Sequence, residues 1–271
     1  MTTLQKVIKY LAMAFAIFLT VTIIGGILGA AGLFSGFFAE DAVMEDMKTY
    51  DLTSDISNLN IRINAADLYI KQGNAFSVES NLKYLKVEEK GNVLTVAETK
   101  KFSGTYNGAM LTIYVPAGTV FDNTTLITGA GRLTIDDLSS GTLDFELGAG
   151  DVSITSLIAT KSADIEGGAG RITISDGALK NLDLEMGVGQ LNLTSALSGD
   201  CQLDLGIGES NIMLIGNKED YRLELEKGIG NIRVDGKNVS DYGSSGNGVN
   251  KVEINGGIGA INVGFGASEI N

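Results

Sequence analysis

Carboxylates separated by one residue recur through the second half of this chain. Asp144 and Glu146, Asp164 and Glu166, Asp183 and Glu185, and Glu224 and Glu226 are complete pairs, while Gln202 and Asp204, and Glu253 and Asn255, hold the same places with one acid each. Paired carboxylates serve two chemistries. They cleave glycosidic bonds when one acts as acid and the other as base or nucleophile, and they hold hard cations such as calcium through oxygen ligands. Asp144, Glu146, Asp164, Glu166, Asp183, Glu185 and Asp204 are therefore the calcium candidates. Hydrolysis fits poorly, because the pairs recur evenly instead of converging on one pocket. The sequence also has no histidine, which removes the ordinary nucleophile–base pair. No catalytic or cofactor-binding residue is assigned, and the chain reads as a non-enzyme.

The acids occupy fixed places relative to a Gly-x-Gly motif, four and two residues ahead of it. The first glycines are Gly129, Gly148, Gly168, Gly187, Gly206, Gly228 and Gly257, and the second are Gly131, Gly150, Gly170, Gly189, Gly208, Gly230 and Gly259. A repeat of this length signals a solenoid, whose units bury their apolar side only by stacking. Within each unit, apolar residues alternate with polar ones, as in a strand with one buried face. Leu143 and Phe145, Ala163 and Ile165, Leu182 and Leu184, Cys201 and Leu203 precede the motif; Val152 and Ile154, Ile172 and Ile174, Leu191 and Leu193 follow it. The expected fold is an all-β parallel solenoid of about 8 coils with a hairpin extension. Its carboxylates would stack one rung apart, about 4.8 Å, in a column along one face.

The glycines are expected to be corners that use positive φ. A phosphate-cradling loop opens a helix, whereas this motif opens a strand. The residue between the glycines is apolar and is expected to point inward. Leu138, Leu157, Leu179, Leu197 and Ile215 are expected to close a third corner. Thr134, Ser153, Thr173, Asn192, Asn211, Arg233 and Asn262 recur five residues after the first glycine, where stacked hydroxyls and amides are expected to bond between rungs. An earlier unit is read at residues 58–70, with Asn64-Ala65-Ala66 as a degenerate corner in which Asn supplies the left-handed conformation. Lys90-Gly91-Asn92 reads as a hairpin turn, and 235–250 as an inserted loop. Cys201, the single cysteine, falls in the core register.

A formal charge of −13 opposes nucleic-acid binding. Between Lys9 and Glu40 lie 30 residues without a formal charge, enough to span a bilayer. Lys6 and Lys9 precede the stretch, and Glu40, Asp41, Glu45 and Asp46 follow it. The positive-inside rule then places the N-terminus in the cytoplasm. The organisation expected is a cytoplasmic segment 1–9, a single-pass transmembrane signal anchor 10–38, a linker 39–56 and an extracytoplasmic domain 57–271. A cleavable signal peptide ending near ILGAAG is the alternative, although the apolar run exceeds the usual h-region. Gly25, Gly29, Gly32 and Gly36 share one helix face, which suits helix dimerisation or contact with another membrane protein.

IRINAADLYI, IYVPAG, FDNTTLITGAGRLTI, FELGAGDVSI and LDLEMGVGQLNL together resemble a bacterial family of adhesin candidates, a domain of unknown function. It is similar in pattern to the head-GIN auto-transporter adhesin domains. The resemblance covers roughly residues 55–265. It implies a right-handed β-helix at the cell surface and a partner that is a cell-wall component or envelope protein. Relatives associated with Lia-type envelope-stress signalling imply an accessory or regulatory role as the alternative.

Overall fold

The computed structural model of the chain describes residues 44–52, 55–100, 106–239 and 242–266. The segments read as cytoplasmic end and membrane anchor, with the glycine face at Gly25, Gly29, Gly32 and Gly36, lie outside these residues. Among the described residues no helix is long and apolar enough to cross a membrane.

The fold is all-β. Its N-terminal part comprises β1 (Met44–Asp51), β2 (Asn58–Ala65), β3 (Asp67–Gly73), β4 (Ser77–Leu82), β5 (Leu85–Lys90), β6 (Val93–Glu98) and β7 (Met110–Pro116). The central rungs are β8 (Val120–Ile174), β9 (Gly177–Lys180), β10 (Leu182–Ser198) and β11 (Asp200–Ile215). The C-terminal part contains β12 (Tyr221–Glu226), β13 (Ile229–Val234), β14 (Lys237–Asn238), β15 (Tyr242–Ser245) and β16 (Asn250–Gly266). All belong to one continuous sheet. Strand β1 falls within the stretch 39–56 and pairs antiparallel with β4.

The rungs stack in parallel with equivalent residues in register. Leu184 lies between Ile165 and Leu203, and Asn192 lies between Thr173 and Asn211. Alternation explains this register, since a shift of one residue would turn every apolar side chain out to solvent. The expected core positions are buried, including Leu143, Phe145, Ala163, Ile165, Leu182 and Leu184 before the motif and Val152, Ile154, Ile172, Ile174, Leu191 and Leu193 after it. Each buried branched side chain contributes about 1.5–3 kcal/mol. Leu138, Leu157, Leu179 and Leu197 are buried at the third corner, whereas Ile215 is half-buried. The hairpin forms as expected: Lys90 pairs with Val93 across Gly91-Asn92, with Gly91 at φ +62°.

Stacking does not follow chain order at either end. Strand β11 pairs with β16, with Leu203 opposite Ile254. The far edge of β16 then carries β12 and β13, with Leu225 opposite Ile254 and Ile232 opposite Ile261. The last rung in sequence, 250–266, thus lies between 200–215 and 221–234. The same inversion occurs at the other end. Rung 58–73 sits on β8 through Ile61–Leu126 and Leu68–Leu133, and its outer edge carries β6 and β7 through Ile61–Val96 and Leu68–Leu111. Because every rung presents the same inward pattern, the pattern does not dictate which rung is neighbour to which.

The stretch 235–250 is more than a loop. Strand β14 pairs antiparallel with β13 and β15 with β12, covering the outer edge of rung 221–234. At the opposite end β5 and β4 run antiparallel to β6 and β7. Both outermost parallel rungs are thereby covered by antiparallel strands, so the sheet ends in β1, β5, β14 and β15 and not in a bare rung of the repeat.

Candidate binding groove

The carboxylates form the column that the repeat implies. Asp183 lies in register with Asp164 and Gln202, and Glu185 with Glu166 and Asp204. Inverted rung order changes the column beyond Asp204, whose neighbour is Asn255, with Glu226 one rung further on. Asn255 donates its amide to Asp204 Oδ1 at 2.7 Å, and Gln202 donates to Asp204 Oδ2 at 2.8 Å. Lys251 lies 3.1 Å from Glu224 and 3.0 Å from Glu253. This end of the column is therefore compensated. Among the described residues, Asp144, Glu146, Asp164, Glu166, Asp183 and Glu185 have no ion-pair partner, so charge accumulates in the middle rungs. Partial burial between rungs pushes the Asp164 carboxyl above the usual range, helped by Asp183 and Asp144. Glu185 rises for the same first reason, with Asp204, Asp183, Glu166 and Asp164 adding to it.

The column does not fold into a chelate. Among the described residues no three His, Cys, Asp or Glu side chains come together as a metal site. Carboxylates in adjacent rungs are exposed or half-buried parallel neighbours.

The fourteen glycines Gly129, Gly131, Gly148, Gly150, Gly168, Gly170, Gly187, Gly189, Gly206, Gly208, Gly228, Gly230, Gly257 and Gly259 run along one edge of the solenoid, and the two of each motif differ in role. Only the second has positive φ: Gly150 stands at φ +148°. The first is a close-approach residue, since a Cβ on Gly148 would overlap the Gly129 carbonyl oxygen one rung below. A Cβ on Gly150 would overlap the Gly131 carbonyl in the same way. Asn64 in the early corner departs from expectation. It is not among the positive-φ residues, which outside glycine and among the described residues are Asn181 and Asp235. Its backbone N–H instead donates to Glu98 Oε2 at 3.0 Å and its side-chain amide to the Lys100 carbonyl at 2.8 Å.

The residue between the glycines points outward, contrary to its apolar character. Ala149 is exposed, Ile229 is 45% exposed, and Val188, Ile207 and Ile258 are half-buried. The bend breaks alternation at the corner, and this residue is left partly or fully open to solvent. These residues form a ridge through the pairs Ala169–Val188, Val188–Ile207, Ile207–Ile258 and Ile258–Ile229. Beside the column runs an open groove of about 810 Å³, lined by Glu146, Glu166, Glu185 and Asp204 and, at one end, by Ile207 and Ile258 of the ridge. Gly148, Gly168, Gly187 and Gly206 lie along its floor. The groove was hidden from sequence reading, because it depends on the outward turn of the corner residue.

Two other residues are structural. Cys201 is buried and its sulfur accepts the Leu182 N–H at 3.4 Å, and burial pushes the thiol pKa up. The buried Tyr221 hydroxyl donates to the Ile215 carbonyl at 2.6 Å and accepts the Leu197 N–H at 3.3 Å.

The Toastrack DUF4097 family matches this chain over residues 56–247, more than half its length. The chain belongs to that family. The Toastrack match begins just ahead of β2 and ends just short of β16. Among solved structures, an adhesin candidate from Bacteroides fragilis is similar at 15% identity, with 83% of this chain and 100% of that chain covered and a TM-score of 0.46. A cell adhesion protein candidate from Clostridium sporogenes is 15% identical, with 81% and 99% covered and a TM-score of 0.34. A lipid binding protein candidate from Parabacteroides distasonis is 15% identical over 80% and 96% of the two chains, with a TM-score of 0.33. No curated protein matches the chain.

Proposed function

We propose that this Toastrack protein is a non-enzymatic scaffold at the cell surface, held in the membrane by residues 10–38, that binds a cell-wall component or envelope protein through the groove. One observation carries the reading: the groove repeats the same residues rung after rung. Glu146, Glu166, Glu185 and Asp204 line it in file together with Gly148, Gly168, Gly187 and Gly206, with Ile207 and Ile258 at one end. Such a site offers a long, uniform, amphipathic surface. Catalysis instead needs unlike groups converging on one reacting bond. The uncompensated column favours partners that carry positive charge on their contacting side.

The test is site-specific photo-crosslinking in intact cells. A photoreactive residue at Ile207 or Ile258 should give a discrete adduct, one at Asn211 should not, and Glu166→Lys with Glu185→Lys should abolish the groove adduct. Equal labelling from Asn211 would overturn the site. Turnover of wall glycans by the purified full chain would overturn the non-enzymatic reading.

A further inference from the structure

The rung 250–266 is a keystone. Every strand it pairs with lies earlier in the chain, and strand pairing joins rung 221–234 to the central rungs through it, with the Tyr221 hydroxyl adding hydrogen bonds to Ile215 and Leu197. Asn250 shows both attachments, accepting the Gly199 N–H at 3.3 Å on one side and donating to the Asp220 carbonyl at 3.2 Å on the other. With the keystone withdrawn, 200–215 and 221–234 present two parallel edges one rung apart, a slot shaped for one more strand of this same repeat.

The link that delivers the keystone is short. Residues 246–249 cross from β15 on one edge of β12 to β16 on its other edge. The crossing hugs Tyr221: the Gly248 N–H donates to the Tyr221 carbonyl at 3.3 Å, and Gly246 turns at φ +88° where a Cβ would overlap that same carbonyl. Val249, the last residue of the link, is 90% exposed. Straightening this four-residue turn would free the keystone while the β12–β15 and β13–β14 pairings beside its slot stay formed.

We propose that two copies of this chain exchange their keystones, each inserting residues 250–266 into the slot of the other. The exchanged rung makes the same hydrogen bonds and apolar contacts as in the closed chain, so the two forms differ only in the 246–249 turn and in association entropy. Exchange of an identical element across a tight hinge is a low-cost route to a symmetric dimer. The surface thus formed joins solenoids at their C-terminal ends. The groove runs alongside that junction and reaches Glu226 and Ile258.

The single cysteine makes this testable. Cys201 is the direct register partner of Val252, and adjacent strands place their Cα atoms about 4.8 Å apart, within disulfide range. In Val252→Cys, a bond to Cys201 is internal in a closed chain and intermolecular in an exchanged one. The full chain is refolded in detergent in a glutathione redox buffer, so that the bond forms as the rungs assemble, and resolved on a non-reducing gel. Exchange predicts a covalent dimer whose share rises with protein concentration, and Gly246→Val should raise it several-fold by disfavouring the turn. Cys201→Ser in the same background should remove it. An internal bond alone, at every concentration and in both variants, would overturn exchange. Failure to form either bond would overturn the rung placement from which exchange follows.

Discussion

Asn262 donates its side-chain amide to Asn211 Oδ1 at 2.9 Å, joining residues 51 apart in the chain. Asn211 donates in turn to Asn192 Oδ1 at 3.1 Å, and Asn192 to Thr173 Oγ1 at 3.4 Å. Chain order would have set Arg233 beside Asn211 and ended the ladder there. The inverted order moves Arg233 outside Asn262, where its Nε donates to Asn238 Oδ1 at 3.3 Å.

The ladder should therefore couple Asn211 to Asn262 and not to Arg233. A double-mutant cycle of Asn211→Ala with Asn262→Ala, read by equilibrium unfolding, should give an interaction energy of about 0.5–1.5 kcal/mol. The cycle of Asn211→Ala with Arg233→Ala should be additive. Coupling in the second cycle and none in the first would contradict the rung order.

The corner should tolerate change in the middle and not at its flanks. Gly150→Ala puts a Cβ into the Gly131 carbonyl at a φ that side chains rarely adopt, and should cost about 3 kcal/mol or more. Ala149→Val should be near neutral, because Val188 and Ile207 already occupy that place in other rungs. Thermal unfolding of the two variants distinguishes an outward from an inward side chain, since an inward valine would overpack the core.

Asp164 and Glu185 have carboxyls pushed above the usual range by partial burial and by their neighbours. A raised folded pKa means that the folded state holds its proton more tightly than the unfolded one. Their contribution is fully present below the ordinary carboxylate pKa, about 4, and is lost as pH rises through the raised values. Asp164→Asn with Glu185→Gln should accordingly raise Tm at neutral pH and leave it nearly unchanged near pH 4. Added salt should shrink the difference, because screening acts on the same repulsion. Calcium should do no more than an equal ionic strength of a monovalent salt, as the column lacks a convergent donor set; a gain in Tm specific to calcium, removed by the same substitutions, would show a bound ion.

Truncation after Val249 should loosen more than the residues removed. Leu223 and Leu225 pair with Val252 and Ile254, so hydrogen exchange at 221–234 should accelerate by at least about tenfold, while Ile165 and Leu184 remain protected. Protection retained at 221–234 would mean that this rung finds another parallel neighbour.

The rung itself was legible in the sequence because its causes are local. Alternation decides which side chains face inward, glycine marks where one rung's backbone passes against the next, and stacking then carries Asp164, Asp183 and their equivalents into a column. Asn64 misled because its amide is satisfied by Glu98 and Lys100, which lie far along the chain. Ala149 and Ile207 misled because apolar character normally signals burial, whereas a sharp bend leaves no room inside it.

By itself the sequence determined the repeat, the inward face of each strand, the hairpin at Gly91-Asn92 and the alignment of like residues across rungs. Only the tertiary structure decided the order of the rungs and, with it, the Asn211–Asn262 bond, the compensation of Glu224 and Glu253 by Lys251, and the groove beside Ile258. The physical reason is degeneracy. Each rung offers its neighbours the same hydrogen-bonding edge and the same apolar interior, so the periodic pattern is satisfied by several orders. What separates them is the fit of particular side chains and of the connecting links once the whole chain has packed.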